Sequence, residues 1–278
     1  MTSTAFLFPG QGSQTPEMGE TVAAVRPDLL ERAIAAVGED PFARAEEGTQ
    51  YAQPAIFCAS LAGWDQHGHP DADFMAGHSL GELAALVAAG SLAEQDGLEL
   101  VALRGRLMHE AGEQAGRGGM LALLGRGAAD HADELAAEHG LSVANDNSPQ
   151  QVVLSGPVDA LPKAASAAEE LRLRAMPLPV TGAFHSPMMA AAVPEFTAAL
   201  EGVEISPPKV TVVSAVTAAP FDDIRRRLAE ALVKPVRWRE VVLALRTLGT
   251  EEFVEVGPGR VLTGLVKRTL AGLELSNA

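Results

Sequence analysis

The stretch Gly77-His78-Ser79-Leu80-Gly81 constrains this chain more than any other. It follows the apolar run Phe74-Met75-Ala76 and leads into an Ala/Leu-rich segment from Glu82 to Ala89. A serine between two glycines, where a strand gives way to a helix, is the sequence form of a nucleophile elbow. So tight a turn brings backbone segments too close for a Cβ, which is why both flanking positions need glycine. It would lift the Ser79 hydroxyl clear of a sheet and set it at a helix N-terminus. Outward-pointing N–H groups there can stabilise an oxyanion. The pattern alone fits an ordinary strand-to-helix turn with an incidental serine equally well, so the rest of the chain must decide.

Ala5-Phe6-Leu7-Phe8 reads as a fully buried strand, ended by Pro9 and followed by Gly10-Gln11-Gly12-Ser13-Gln14. That puts a flexible turn at the C-terminal end of a strand, the edge where ligands bind in open α/β sheets. The G-x-G-x-x-G spacing of a phosphate-binding turn is absent. Helices are predicted over 29–37 and 55–66, the second preceded by Gln53-Pro54, a proline being well suited to the start of a helix. The loop His67-Gly68-His69-Pro70-Asp71 opens like a two-metal ligand set, but Ala72 follows where another histidine would stand, so no metal is expected. After the elbow helix, Gly90 suits a C-cap and Ser91-Leu92-Ala93-Glu94 a capping box for the next helix. Leu98, Val101, Leu103, Leu107 and Met108 give that helix an apolar face, which Arg104 and Arg106 interrupt.

Four glycines between 112 and 119 then read as a boundary. Beyond it come a strand at 120–124, a helix at 128–138, strands at 141–144 and 151–154, a helix at 158–171 and a strand at 174–178. The order β-α-β-β-α-β is the ferredoxin-like pattern and predicts an inserted subdomain over 117–181. The larger domain would comprise 1–116 and 182–278. It resumes at Thr181-Gly182-Ala183-Phe184-His185-Ser186-Pro187, with a helix over 190–200 and strands over 210–213 and 252–256.

Composition narrows the function classes. A net charge of -15 argues against a general nucleic-acid binder, whose footprint would be basic. The single cysteine, Cys58, permits no internal disulfide and is expected to be buried packing. Four apolar residues before Pro9, with no basic segment ahead of them, do not make a signal peptide. No apolar run approaches membrane-spanning length. A cytoplasmic protein with no membrane partner is expected.

Among the histidines, His185 is the best general-base candidate, because it lies in a Gly/Phe/Ser/Pro loop away from periodic helix positions. Arg104 sits among Leu and Val, where a guanidinium either snorkels to water or meets a buried anion.

The sequence resembles the malonyl-CoA:acyl carrier protein transacylases and the stand-alone acyltransferases of polyketide synthases. The resemblance rests on Phe8-Pro9-Gly10-Gln11-Gly12-Ser13-Gln14, Gly77-His78-Ser79-Leu80-Gly81-Glu82, Arg104-Gly105, Asn147-Ser148-Pro149, Phe184-His185-Ser186 and Glu255-Val256-Gly257-Pro258-Gly259, in family order over nearly the whole chain. It implies an α/β fold: a hydrolase-like core with a parallel sheet and nucleophile elbow, carrying an inserted ferredoxin-like subdomain. It implies that Ser79 is the acylated nucleophile, His185 its base, and the backbone N–H groups of Gln11 and Leu80 the oxyanion hole. Arg104 would hold the malonyl carboxylate, with Gln11 and Phe184 also at the substrate. Phe184 resembles malonyl-selective members. Arg237, in Pro235-Val236-Arg237-Trp238, stands where many fatty-acid members have glutamine, a form similar to polyketide acyltransferases; a backbone carbonyl near it would orient the histidine. The implied partners are malonyl-CoA and an acyl carrier protein; a monomer with no cofactor or metal is expected. Carriers of these pathways are acidic like this chain, so docking would need a local basic patch drawn from Arg172, Arg174, Lys234, Arg237, Arg239, Lys267 or Arg268. The alternative is an acyl hydrolase on the same scaffold, which clears acyl groups from carriers.

Overall fold

In the computed structural model, which describes residues 3–180 and 182–276, strand β1 (Thr4–Phe8) holds an inner place in a five-stranded sheet. Phe6 and Phe8 face one side and Ala5 and Leu7 the other, as the period-two geometry of a strand requires. The chain continues through α1 (Met18–Val25), α2 (Pro27–Val37), α3 (Thr49–Gln66), β2 (Phe74–Gly77), α4 (Gly81–Ala88) and α5 (Glu94–Gln114). A second sheet follows, from β3 (Gly118–Leu124), α6 (Ala128–His139), β4 (Ser142–Ser148), β5 (Gln151–Pro157), α7 (Leu161–Glu170) and β6 (Arg174–Pro177). The remainder is α8 (Val193–Glu201), β7 (Thr211–Ser214), β8 (Ala219–Pro220), α9 (Ile224–Glu230), α10 (Trp238–Thr247), β9 (Glu252–Glu255) and α11 (Val261–Ser276).

The larger sheet has the order β8-β7-β2-β1-β9, parallel except for the short β7–β8 pair. Its two faces are covered by different helices. Ile56, Phe57, Leu83 and Leu98 pack toward Phe6, Phe8 and Met75 on one side; Trp238, Val241, Leu245 and Leu265 pack toward Ala5, Leu7 and Ala76 on the other. Cover on both faces is what lets a parallel strand be apolar throughout. The second sheet is antiparallel in the order β4-β5-β3-β6, the ferredoxin-like arrangement. Leu121, Leu123, Val152 and Leu154 bury one face under α6 and α7, while Met120, Ala122 and Val153 look toward the main core. Thr181, at the expected join between the two parts, lies outside the described residues.

Tertiary packing overrides several local expectations. Helix α3 begins at Thr49 rather than 55, which leaves Pro54 inside it. An interior proline costs a helix about 3 kcal/mol, but residues 51–62 are buried throughout, and that burial holds the helix across the break. Helix α5 runs through Gly112, so the boundary is shorter than the glycines suggest. The expected capping box does not form. Ser91 Oγ donates to the Ser206 carbonyl at 2.6 Å, and Glu94 pairs with Arg26 at 2.9 Å and Arg32 at 2.5 Å. Full charges at the α1–α2 junction and on α2 draw that carboxylate away from its own helix terminus. The segments expected as helices over 158–171 and 190–200 each open with a 3₁₀ turn, Val158–Ala160 and Pro187–Ala192. Among the described residues no helix is long and apolar enough to cross a membrane. In the histidine-bearing loop after α3, His69 stacks on Trp64 and pairs with Asp65.

Candidate active site

Between β2 and α4 the chain turns at Ser79, whose φ of 54° lies in the left-handed region. A Cβ on Gly77 would stand 2.0 Å from the Gly81 carbonyl carbon, and one on Gly81 would stand 2.2 Å from the Phe8 oxygen. Both positions therefore require glycine, as the sequence suggests. A left-handed serine costs on the order of 1–3 kcal/mol, and such strain concentrates at functional sites. The turn holds it with hydrogen bonds from His78 N to Phe8 O at 2.9 Å and from Gly81 N to His78 O at 3.0 Å.

His185 is also left-handed, with φ 57°. Ser186 fixes its loop by donating from Oγ to the Ala183 carbonyl at 2.6 Å and accepting from Met188 N at 3.2 Å. His185 Nδ1 lies 2.8 Å from the Ala231 carbonyl, which can only accept, so Nδ1 carries the proton. Nε2 is then a free lone pair, 2.9 Å from Ser79 Oγ, and the serine hydroxyl donates to it. Burial, reinforced by the neighbouring Arg104 charge, pushes His185 down to about 3 and keeps the imidazole neutral. The residue that orients the histidine is thus Ala231. The expectation was a backbone carbonyl near Arg237; the Ala231 carbonyl lies in the same stretch, about six residues earlier, while the Arg237 side chain turns away to Glu240 and the Thr217 carbonyl and its N–H goes to Ala215. The stretch between α9 and α10 curves so that its start, not its end, meets the imidazole.

Arg104 does not snorkel: it is 3% exposed. Nη2 donates to Ser79 Oγ at 3.1 Å and Nη1 to Gln53 Oε1 at 2.6 Å. Gln53 is itself held by donating from Nε2 to Thr49 Oγ1 at 2.8 Å. A guanidinium has five N–H donors, and among the described residues no carboxylate lies within ion-pair distance of this one. Burial draws Arg104 down to about 10, against the opposing pull of Glu82. Glu82, buried in the first turn of α4, accepts from Ala215 N at 2.7 Å, and burial pushes its carboxyl up to about 7.

Ser79, His185 and Arg104 open onto one cavity of about 270 Å³, also lined by Gln11, Leu80 and Phe184. It lies between the ends of the parallel strands and the inward face of the second sheet. The backbone N–H groups of Gln11 and Leu80 have no protein acceptor among the described residues. His78, beside the serine, contacts Asn147 Oδ1 from Nε2 at 2.8 Å. Gln53, Ala231 and the Asn147 contact escape sequence reasoning. The available signals were Gln53, a polar residue beside the apolar run 55–59, and the Asn147-Ser148-Pro149 motif, neither of which names its partner. Of the basic residues considered for docking, Arg172, Arg174, Lys234, Lys267 and Arg268 are exposed, whereas Arg237 and Arg239 are paired with Glu240 and Asp146. Chemically, the arrangement lets Oγ attack a carbonyl while Nε2 takes its proton, beside a buried cation able to receive an anion.

A family model described as an acyl transferase domain matches residues 5–278. The chain is 40% identical over 281 residues to the polyketide biosynthesis protein ThaF of Burkholderia thailandensis, a match covering 96% of this chain and 24% of that much longer one. It is 39% identical over 296 residues to the malonyl CoA-acyl carrier protein transacylase of Escherichia coli strain K12, covering 99% of this chain and 96% of the relative. Among solved structures, a malonyl-transacylase in complex with its type II polyketide synthase acyl-carrier protein superposes with a TM-score of 0.87 at 36% identity, covering 97% of this chain and 94% of that one.

Proposed function

The chain belongs to the acyl transferase domain family, and from that membership we propose that it moves a malonyl group from malonyl-CoA to the phosphopantetheine thiol of an acyl carrier protein. Ser79 Oγ attacks the thioester carbonyl as His185 Nε2 takes its proton. The oxyanion is held by the N–H groups of Gln11 and Leu80, where losing one donor costs about 2.7–4 kcal/mol. The C–S bond then breaks and His185 protonates the departing CoA thiolate, leaving malonyl-Ser79. The carrier thiol repeats the sequence in reverse: His185 deprotonates it, the sulfur attacks the ester, and Ser79 Oγ recovers its proton.

The observation that carries this reading is the buried guanidinium of Arg104 against Ser79 Oγ, with donors to spare. A substrate ending in a carboxylate would use them in a forked pair that lysine could not match. Neutral acyl groups would leave that cation unanswered, which counts against an acyl hydrolase; accumulation of malonyl-carrier rather than malonate separates the two. The product supplies polyketide or fatty acid synthesis; polyketide biosynthesis is the pathway for which the Burkholderia thailandensis relative is named.

The direct test offers malonyl-, methylmalonyl- and acetyl-CoA in competition and weighs the intact protein. Malonyl should dominate the adduct on Ser79. In Arg104→Ala the malonyl acylation rate should fall on the order of 10²–10³-fold, the worth of two charge-assisted hydrogen bonds, while acetyl acylation falls far less. Equal losses for both substrates would remove Arg104 as the carboxylate clamp.

The carrier would dock at the cavity rim. Arg174 lies two residues before Met176 on β6, and Lys267 and Arg268 follow Leu265 on α11; Met176 and Leu265 both line the cavity. Charge reversal at these three exposed positions should raise the KM for carrier several-fold at low salt, an effect that fades as salt screens it. Carrier kinetics indifferent to all three reversals would move docking elsewhere.

A further inference from the structure

Strand β4 is the edge of the second sheet, and its pairing with β5 is irregular. Val143 faces Leu154, Asn145 faces Val153, Asp146 faces Val152 and Ser148 faces Gln151, so Ala144 and Asn147 are each an extra residue on β4. Bulges bend and twist a strand where they occur. Here the bends deliver Asn147 to the cavity, where it meets His78, and they turn the outer edge of β4 toward the main body. Asp146 N donates to the Val236 carbonyl at 2.9 Å, and Val236 N donates to the Ala144 carbonyl at 2.8 Å. The stretch joining α9 to α10 therefore serves two masters. Near its start, Ala231 holds the imidazole of His185; near its end, Val236 holds the cavity wall.

One side-chain interaction closes this junction. Arg239, the second residue of α10, donates from Nε to both carboxylate oxygens of Asp146 at 3.0 Å and from Nη2 to Oδ2 at 2.8 Å. The side chains are 33% and 16% exposed. Freely exposed ion pairs contribute little, but a forked, half-buried arginine–carboxylate pair is the exception. It is also redundant for the fold of either sheet, since the β4–β5 ladder and the α10 core are complete without it.

We propose that the Asp146–Arg239 pair is a latch: two positioning residues that hold the wall bearing Asn145 and Asn147 closed over Ser79 and so keep water from the acyl-enzyme. Neither touches the reacting atoms. They act through Asn147 on His78 and through the shared stretch on the cavity wall. With the wall loosened, water reaches the ester that should await a thiol. Its oxygen bonds to the acyl carbon as His185 takes one proton, the bond from that carbon to Ser79 Oγ breaks, and the proton returns to Oγ as the free acid departs. The inference rests on the acyl-enzyme reading above, and excluding water from such a site is a recognised means of suppressing this side reaction.

The test compares wild type with Asp146→Ala, Arg239→Met, Arg239→Lys and the Asp146→Ala/Arg239→Met double variant. Malonate released from malonyl-CoA without carrier is measured beside malonyl transfer to carrier, and amide exchange is followed at Asp146 and Val236. Each removal should raise the ratio of hydrolysis to transfer about threefold to tenfold and speed exchange at both amides. Arg239→Lys, which keeps the charge but not the fork, should fall between. The double variant should be no worse than the worse single, as expected for two ends of one interaction. A ratio and exchange unchanged from wild type, or additive losses in the double variant, would overturn the latch. A wild type that forms no malonyl-Ser79 would instead overturn the acyl-enzyme reading, while amide exchange would still report whether the pair holds the wall.

Discussion

Ser79→Ala is expected to abolish the malonyl adduct and to lower transfer on the order of 10⁴-fold or more. The reason is structural as well as chemical. Oγ is the meeting point of His185 Nε2 at 2.9 Å and Arg104 Nη2 at 3.1 Å. Alanine leaves the base with nothing to deprotonate and the substrate with no nucleophile, though the cavity and the Arg104 cation remain. Malonyl-CoA should therefore still bind, with affinity near that of wild type, so loss of the adduct can be separated from loss of binding by calorimetry. The left-handed turn accepts alanine at a cost comparable to serine, and the fold should persist. An adduct of malonyl mass surviving in this variant would place the nucleophile elsewhere.

His185→Ala should slow acylation by about 10²–10⁴-fold, the usual contribution of a positioned general base. The pH dependence carries more information. Burial first, and the Arg104 charge second, hold His185 at about 3, against roughly 6.5 for an unperturbed histidine. The neutral, competent form then prevails throughout the near-neutral range, and the acid limb of the acylation rate should fall well below 6.5. The sign for stability follows from the same depression. Between roughly 6.5 and the folded value an unfolded histidine binds a proton that the folded one refuses. This group therefore costs nothing above about 6.5 and destabilises the fold increasingly as pH falls toward the folded value. Arg104→Ala removes one cause of the depression, so its acid limb, measured with acetyl-CoA to bypass the clamp, should move up in pH. A limb that stayed put or moved down would uncouple the two residues.

Local signals carried much of the fold. The unbroken apolar run at residues 5–8 announced a strand covered on both faces, and glycines at 77 and 81 announced a turn in which a Cβ has no room. The alternation of strands and helices beyond Gly118 announced the second sheet. Where the signal was local but the partner was not, it failed. Ser91 and Glu94 carry the letters of a capping box, yet they bond to Ser206, Arg26 and Arg32. Pro54 looks like a helix start because a sequence cannot show that the whole helix is buried. The identities of Ser79, His185 and Arg104 were legible mainly through resemblance to a family, since spacing alone left each with an ordinary alternative.

What the chain itself determined is steric and periodic: which segments alternate, which turns exclude a side chain, which residues have the chemistry to act. These follow from contacts within a few residues, where geometry is set by covalent structure and hard-sphere exclusion. Only the tertiary structure decided who meets whom. Gln53 on Arg104, Ala231 on His185, Ala215 on Glu82 and Arg239 on Asp146 join residues 46 to 133 positions apart. Each such bond requires two surfaces to be packed first, and it is the burial of both sheets that fixes those surfaces against each other.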